Sequence, residues 1–219
     1  GGEELARGVI GAGASPDRVR EGLRSLMHEA HLAALARGAT PGERARAVEI
    51  VDKQFFTRLA NGEPVSFSVN EDDRLNALVN RLAWSSDPVC VLALAVSNSV
   101  EREPAGIDIQ PLPDRLLYRR GQVLATRRVD ATQAPSVVFN ELVGFLKALG
   151  RGALDRGMIP TVDPSTGEPQ VGALSVGDIA DLVERLRRTG SRVYVTARAA
   201  RDLSAADPLL MQFSVDRAL

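Results

Sequence analysis

The sequence predicts an α/β protein, with α+β as the alternative, in which a strand-helix-strand-helix-strand-strand unit occurs twice around a mixed sheet. Three observations carry that expectation: an internal duplication, apolar periodicities that switch between helical and strand spacing, and an almost unbroken apolar run at Val89–Val96. The duplication is ungapped over two blocks. Leu23 to Pro41 lines up on Leu142 to Pro160, an offset of 160 − 41 = 119, with Arg37-Gly38 falling on Arg156-Gly157. Leu78-Val79-Asn80-Arg81-Leu82 lines up on Leu182-Val183-Glu184-Arg185-Leu186, an offset of 182 − 78 = 104. The first copy therefore carries about 15 more residues between the blocks, and Asp108 has Gln212 as its counterpart.

In the first copy a strand at Val9–Ala12 precedes a helix opened by Ser15-Pro16-Asp17, a capping residue followed by proline at the first helical position. Val19, Leu23, Leu26, Met27, Ala30 and Ala34 give that helix its stripe. Thr40-Pro41-Gly42-Glu43 then reads as the start of an extra helix at 41–61, with Val48, Val51, Phe55 and Leu59 on one face. Pro64–Val69 alternates as a strand, and Asn70 caps a helix with acids in its first turn and Leu75, Leu78, Val79 and Leu82 inside. Val89–Val96 fits a strand covered on both faces, and Gly106–Leu112 alternates again.

The second copy begins with a strand at Leu116–Tyr118, turns near Arg120-Gly121 and returns as Gln122–Val129. A helix from Ala134 to Arg156 follows, then a strand around Gln170–Leu174, a helix capped by Ser175, and strands at Arg192–Ala199 and Leu209–Val215. Residues 3–113 thus form the first repeat and 114–219 the second, expected to pack as one globular unit. Glu3-Glu4-Leu5 stands where the second copy has its first strand, so the first copy is expected to lack the start of its hairpin.

Composition excludes several classes. The 219 residues carry 27 basic and 28 acidic groups, a net charge of −1, with 44% hydrophobic residues, two histidines and one cysteine. These are ordinary globular values, and no apolar run approaches the roughly 20 residues that span a bilayer. Cys90 alone makes neither an internal disulfide nor a thiolate metal site. Of the basic residues all but Lys53 and Lys147 are arginine, a skew that weakens arginine-rich stretches as a nucleic-acid signal.

The strings Pro113-Asp-Arg-Leu-Leu-Tyr-Arg-Arg-Gly-Gln-Val-Leu-Ala125, Gly152-Ala-Leu-Asp-Arg-Gly-Met-Ile-Pro160 and the helix–strand–strand from Ile179 to Val215 cover most of the second copy. In these strings the chain resembles the bacterial family called domain of unknown function 3084. The resemblance implies the C-terminal part of a membrane-anchored coiled-coil protein, placed in the cytoplasm and tethered to the inner membrane through segments outside this sequence. It brings no established activity and no catalytic residues.

Motifs for chemistry are sparse. Gly11-Ala12-Gly13 has Pro16 where a dinucleotide fingerprint needs its third glycine, so it reads as a permissive turn. His28 and His31 stand at a metal-binding spacing, but no third histidine exists, and surface or half-buried side chains are expected. No Gly-x-Ser-x-Gly occurs, Ser97, Ser99 and Ser175 read as strand-end and cap residues, and Cys90 as inert packing.

The leading functional expectation is a non-catalytic interaction or scaffold module with no cofactor. It would bind a protein partner or a second copy of itself, as a homodimer, with no direct membrane contact. Two alternatives stand beside it. From Gly106 onward the element order approaches a ribonuclease H-like core, which would make Asp108, with Asp163, Glu168 and Asp207, the carboxylates of a Mg²⁺- or Mn²⁺-dependent nuclease. The second repeat has a net charge of +3 against −4 for the first 113 residues, so Arg119, Arg120, Arg127, Arg128, Arg185 and Arg188 are candidates for nucleic-acid phosphates. Tyr118 and Tyr194 are the nearby candidates for base stacking.

Overall fold

The computed structural model describes residues 2–58, 64–96, 103–162, 167–172 and 176–217. The chain is an α/β protein with a mixed sheet, and it divides into two compact units, Gly1–Asp114 and Arg115–Leu219.

In the first unit β1 (Glu3–Ile10) leads into α1 (Pro16–Ala36), and β2 (Val48–Ile50), β3 (Lys53–Arg58) and β4 (Pro64–Val69) follow. Then come α2 (Glu71–Leu82), β5 (Val89–Ala95) and β6 (Ala105–Pro113). The main sheet runs β1-β5-β6-β2, antiparallel except for β2, which lies parallel to β6. Helix α1 starts where expected: the Ser15 hydroxyl accepts from the Arg18 amide and Pro16 sits in the first turn, where its missing N–H costs nothing. At α2 the Asn70 side chain accepts from the Asp73 amide at 2.9 Å. Ala6, Ile10, Val91, Ala93, Ile107 and Ile109 of the sheet pack in one buried cluster with the α1 stripe and with Val79 and Leu82 of α2.

The second unit contains β7 (Leu116–Tyr118), β8 (Val123–Asp130), α3 (Pro135–Asp155), β9 (Thr161–Val162) and β10 (Pro169–Gln170). These are followed by α4 (Val176–Arg187), β11 (Arg192–Ala199), β12 (Leu203–Ser204) and β13 (Met211–Arg217). Its main sheet runs β13-β11-β8, all antiparallel, and α3 and α4 bury Val138, Leu142, Phe145, Leu182 and Leu186 against Val129, Val193, Val195 and Ala197.

The duplication extends to the hydrogen-bond register. Ile10 pairs with Val89, and the two sequence offsets carry that pair onto Val129 and Val193, which also pair. Val91 pairs with Pro111, as Val195 does with Val215. Helices α1 and α3 both span 21 residues. Each ends on a glycine with positive φ, Gly38 at 92° and Gly157 at 101°. The next amide reaches back in both units, Ala39 N–H to Ala34 O at 3.1 Å and Met158 N–H to Ala153 O at 3.0 Å. A one-residue slip would turn the buried side of β5 or β11 outward, so the equal register fixes the same core twice.

Several expectations are corrected. The extra helix at 41–61 does not form. Val48 and Ile50 are buried on either side of half-buried Glu49, a period of two, and β3 pairs with β4 in a separate hairpin with Phe55 opposite Phe67. Val, Ile, Phe and Thr in this stretch prefer extended backbone, and an apolar spacing of three or four in a short run does not separate helix from strand. Leu59 and Asn61-Gly62 lie outside the described residues. The material that distinguishes the first copy is therefore a β-hairpin, and Pro64–Val69 joins that hairpin rather than the main sheet. The second unit keeps a trace of β2: Leu209 N–H bonds Val171 O at 2.5 Å, as Ala105 N–H bonds Ala47 O at 2.8 Å. A side chain at Gly172 would place its Cβ 2.8 Å from the Leu209 carbonyl oxygen, so only glycine permits that approach.

Glu3-Glu4-Leu5 does not stand in the place of β7: β1 runs through these residues and, by the offset of 119, is the counterpart of β8, so the described residues of the first unit contain no counterpart of β7. The strands from Gly106 onward do not make a ribonuclease H-like meander: β6 pairs with β5 and β2, β7 with β12, and β8 with β11. The expected strand at Gln170–Leu174 is described only as β10 paired with β9, and Ser175 lies outside the described residues.

Cys90 is fully buried in β5, and burial pushes its thiol up to about 11. The native protein is therefore expected to resist a thiol reagent at pH 8 and to react within seconds once unfolded in denaturant. Rapid native labelling would contradict this placement.

Candidate functional site

Strands β8, β11 and β13 turn one face to α3 and α4, and on the other most side chains at the edges are exposed while Thr196 is buried. Because side chains alternate along a strand, Val193, Val195 and Ala197 enter the core while Tyr194, Thr196 and Arg198 stand on the opposite face. Register then assembles rows across the three strands. Arg128, Tyr194 and Asp216 are direct partners in one row, and Thr126, Thr196 and Ser214 in the next. The hydroxyls of Thr126 and Thr196 lie 3.1 Å apart, which places both on this face. Tyr194 is 41% exposed, and Arg128, Arg198, Gln212 and Asp216 are exposed beside it.

The charges on the face differ in availability. Arg192 Nε donates to Asp130 Oδ2 at 3.1 Å, and Arg198 Nη1 donates to the Gly121 carbonyl at 3.2 Å. Hydrogen bonds from Thr132 and then from Arg192 hold the Asp130 carboxyl down at about 2. The Arg128 side chain has no hydrogen bond or ion pair among the described residues. The corresponding positions of the first unit are Val9, Cys90, Leu92, Asp108 and Leu112. The row Arg128–Tyr194–Asp216 is thus the apolar row Val9–Cys90–Leu112 in the first unit, while the next row there holds Arg7, Leu92 and Gln110.

The six arginines proposed for phosphate contact do not share this surface. Arg119 and Arg120 occupy the turn between β7 and β8, where the Arg120 amide donates to Asp202. Arg127 faces the helices, 3.5 Å from Glu141 on α3, because it is the register partner of buried Val195. Arg185 lies on α4, and Arg188 pairs with Glu184 at 3.3 Å. Only Arg128 reaches the open face. Adjacent residues on a strand point oppositely, so Arg127-Arg128 could never act together as one patch.

The proposed carboxylates that are described belong to different units, and two of them have arginine partners. Asp108 is ion-paired with Arg74, which also donates to the Val51 carbonyl. Asp207 accepts from Arg201 at 2.7 Å and from the amide and hydroxyl of Ser204, closing the turn after β12. Glu168 precedes β10 in the second unit, and Asp163 lies outside the described residues. Among the described residues no three His, Cys, Asp or Glu side chains gather closely enough to hold a metal ion.

Sequence reasoning missed the exposed row as a unit. Tyr194 was readable as an aromatic on an alternating strand, but its neighbours follow only from register. No family model, curated protein or solved structure matches the chain. No described helix is long and apolar enough to cross a membrane.

Proposed function

We propose that the chain is a non-catalytic interaction module that pairs with a second copy of itself through the open face of β8, β11 and β13. The observation that carries this reading is the row Arg128–Tyr194–Asp216, a cation, an aromatic ring and an anion on three adjacent strands. A twofold axis parallel to β11, passing above Tyr194, would set Arg128 of one copy over Asp216 of the other and ring against ring. Such a row is complementary to itself, which is what an isologous contact requires. Tyrosine and arginine are also the residue types that dominate interface energetics, and here rigid strands hold them.

The longer protein implied by the resemblance in the second copy would bring two such modules together on a coiled coil. A cytoplasmic module tethered to the inner membrane through other segments belongs to the same proposal.

Sedimentation equilibrium tests it. The chain is expected to form dimers, and Tyr194→Ala is expected to weaken them roughly 30-fold, the loss of an interface hot spot. Trp84, 70% exposed in the first unit, provides the control. Trp84→Ala is expected to leave the dimer intact. A monomeric parent chain, or dissociation by Trp84→Ala alone, would overturn the reading.

A further inference from the structure

We infer that the first unit carries a separate binding site for an amphipathic organic anion, a carboxylate or phosphate head on an apolar body, in the cleft between α1, α2 and residues 45–47. This inference does not rest on self-association. The cleft has a volume of about 660 Å³, within the usual range for small-molecule sites. Leu23, Met27, Leu75 and Val79 supply its apolar lining, and Arg20, Arg24, His28, His31, Arg46 and Asn76 its polar one.

The cationic groups are held in different ways. Buried Glu71 accepts from Arg46 and, at 2.8 Å, from Arg44 Nη1, and so fixes Arg46 at the cleft. Asp72, the one acid lining the cleft, is taken up by the Arg44 fork at 3.0 and 3.1 Å. Arg20 pairs outward with Asp17 at 2.9 Å. His31 Nδ1 accepts the Ala47 amide at 2.9 Å, so the neutral ring carries its proton on Nε2 as a donor. The Arg24 side chain has no hydrogen bond or ion pair among the described residues, and the His28 side chain has only a tilted ring contact with His31. Donors therefore outnumber acceptors around an apolar pocket, and an anionic oxygen would complete them.

The duplication supplies an internal comparison. The second unit has a cleft of about 490 Å³ at the corresponding place. There Val143, Lys147 and Gly150 stand in place of Arg24, His28 and His31, with Leu146 and Ile179 in place of Met27 and Leu75. Gln170 lines it where the first unit has Arg46, each preceding the residue that bonds its edge strand. Both copies keep a cleft here with two apolar positions in common, Met27 with Leu146 and Leu75 with Ile179, and the second cleft adds Arg151 and Glu168. The arginine–histidine set belongs to the first unit alone.

Calorimetric titration of the full chain with octanoate, octyl phosphate and neutral 1-octanol tests the assignment. At least one of the two anions is expected to bind about tenfold or more tightly than the alcohol, a difference of about 1.4 kcal/mol. Which anion it is assigns the head group. Arg24→Ala combined with His28→Ala, both at exposed positions, is expected to abolish the preference, and Lys147→Ala to leave it unchanged. Equal binding of anion and alcohol, no binding of either anion into the millimolar range, or loss on Lys147→Ala alone would overturn the site.

Discussion

Replacing Leu142 with alanine is expected to lower the stability of the second unit by about 3 kcal/mol. Leu142 is 0% exposed, and it packs in one cluster with Val138, Phe145, Leu186, Val193 and Val195. Removing its isobutyl group forfeits the transfer energy of the buried carbons and leaves a cavity that strands fixed at β8 and β13 cannot close. Native-state hydrogen exchange at the Val193 and Val195 amides reads the loss directly, as protection falling by roughly two orders of magnitude. The equivalent change in the first unit, Leu23→Ala, is expected to act similarly on Val91 and Ala93, because Leu23 occupies the same place on α1. A loss under about 1 kcal/mol at Leu142 would contradict the packing described.

Removal of the Glu71 carboxylate is the second large effect. Glu71 is 6% exposed, ion-paired with Arg44 and Arg46, and accepts the Ile50 amide at 3.2 Å, so one side chain ties α2 to β2 and to the preceding loop. Its place in the first turn of α2 adds a favourable interaction with the helix dipole. Glu71→Ala is expected to cost about 2 kcal/mol, below the 3–5 typical of broken buried pairs, because both arginines keep partial access to water. Glu71→Gln retains an acceptor for Ile50 and is expected to cost about half as much. Urea unfolding followed by circular dichroism measures both. Equal stability of Glu71→Ala and the parent chain would show that this network contributes nothing.

Much of the fold is legible in the sequence, for identifiable reasons. The offsets of 119 and 104 rest on side chains that face the core, and core positions are where a duplicated fold constrains residue type most. Ser15-Pro16 and Asn70 mark helix starts because their side chains and ring satisfy or remove amides that nothing else bonds. The stretch from Thr40 to Leu59 misleads because Val48, Val51 and Phe55 satisfy a helical spacing while their branched and aromatic types prefer a strand. Composition is the better guide there.

The sites are less legible. Arg128, Tyr194 and Asp216 are far apart in sequence and become neighbours only through pairing, which no local pattern encodes. His28 and His31 read as unremarkable surface residues until the loop carrying Arg46 and Ala47 is seen to line the same cleft, its Ala47 amide donating to His31. Among the acidic candidates Asp108 differs in the opposite sense. Asp108 is conspicuous as a charge inside a strand, yet Arg74 from α2 already neutralises it.

The charge-swap experiment tests self-association most directly. Arg128→Asp makes the row acidic at both ends, and Asp216→Arg makes it basic at both ends, so each variant should be monomeric by sedimentation. Mixing the two should restore a one-to-one heterodimer, because each acidic end then meets a basic one. Variants that remain dimeric alone, or a mixture that stays monomeric, would contradict pairing through the open face of β8, β11 and β13.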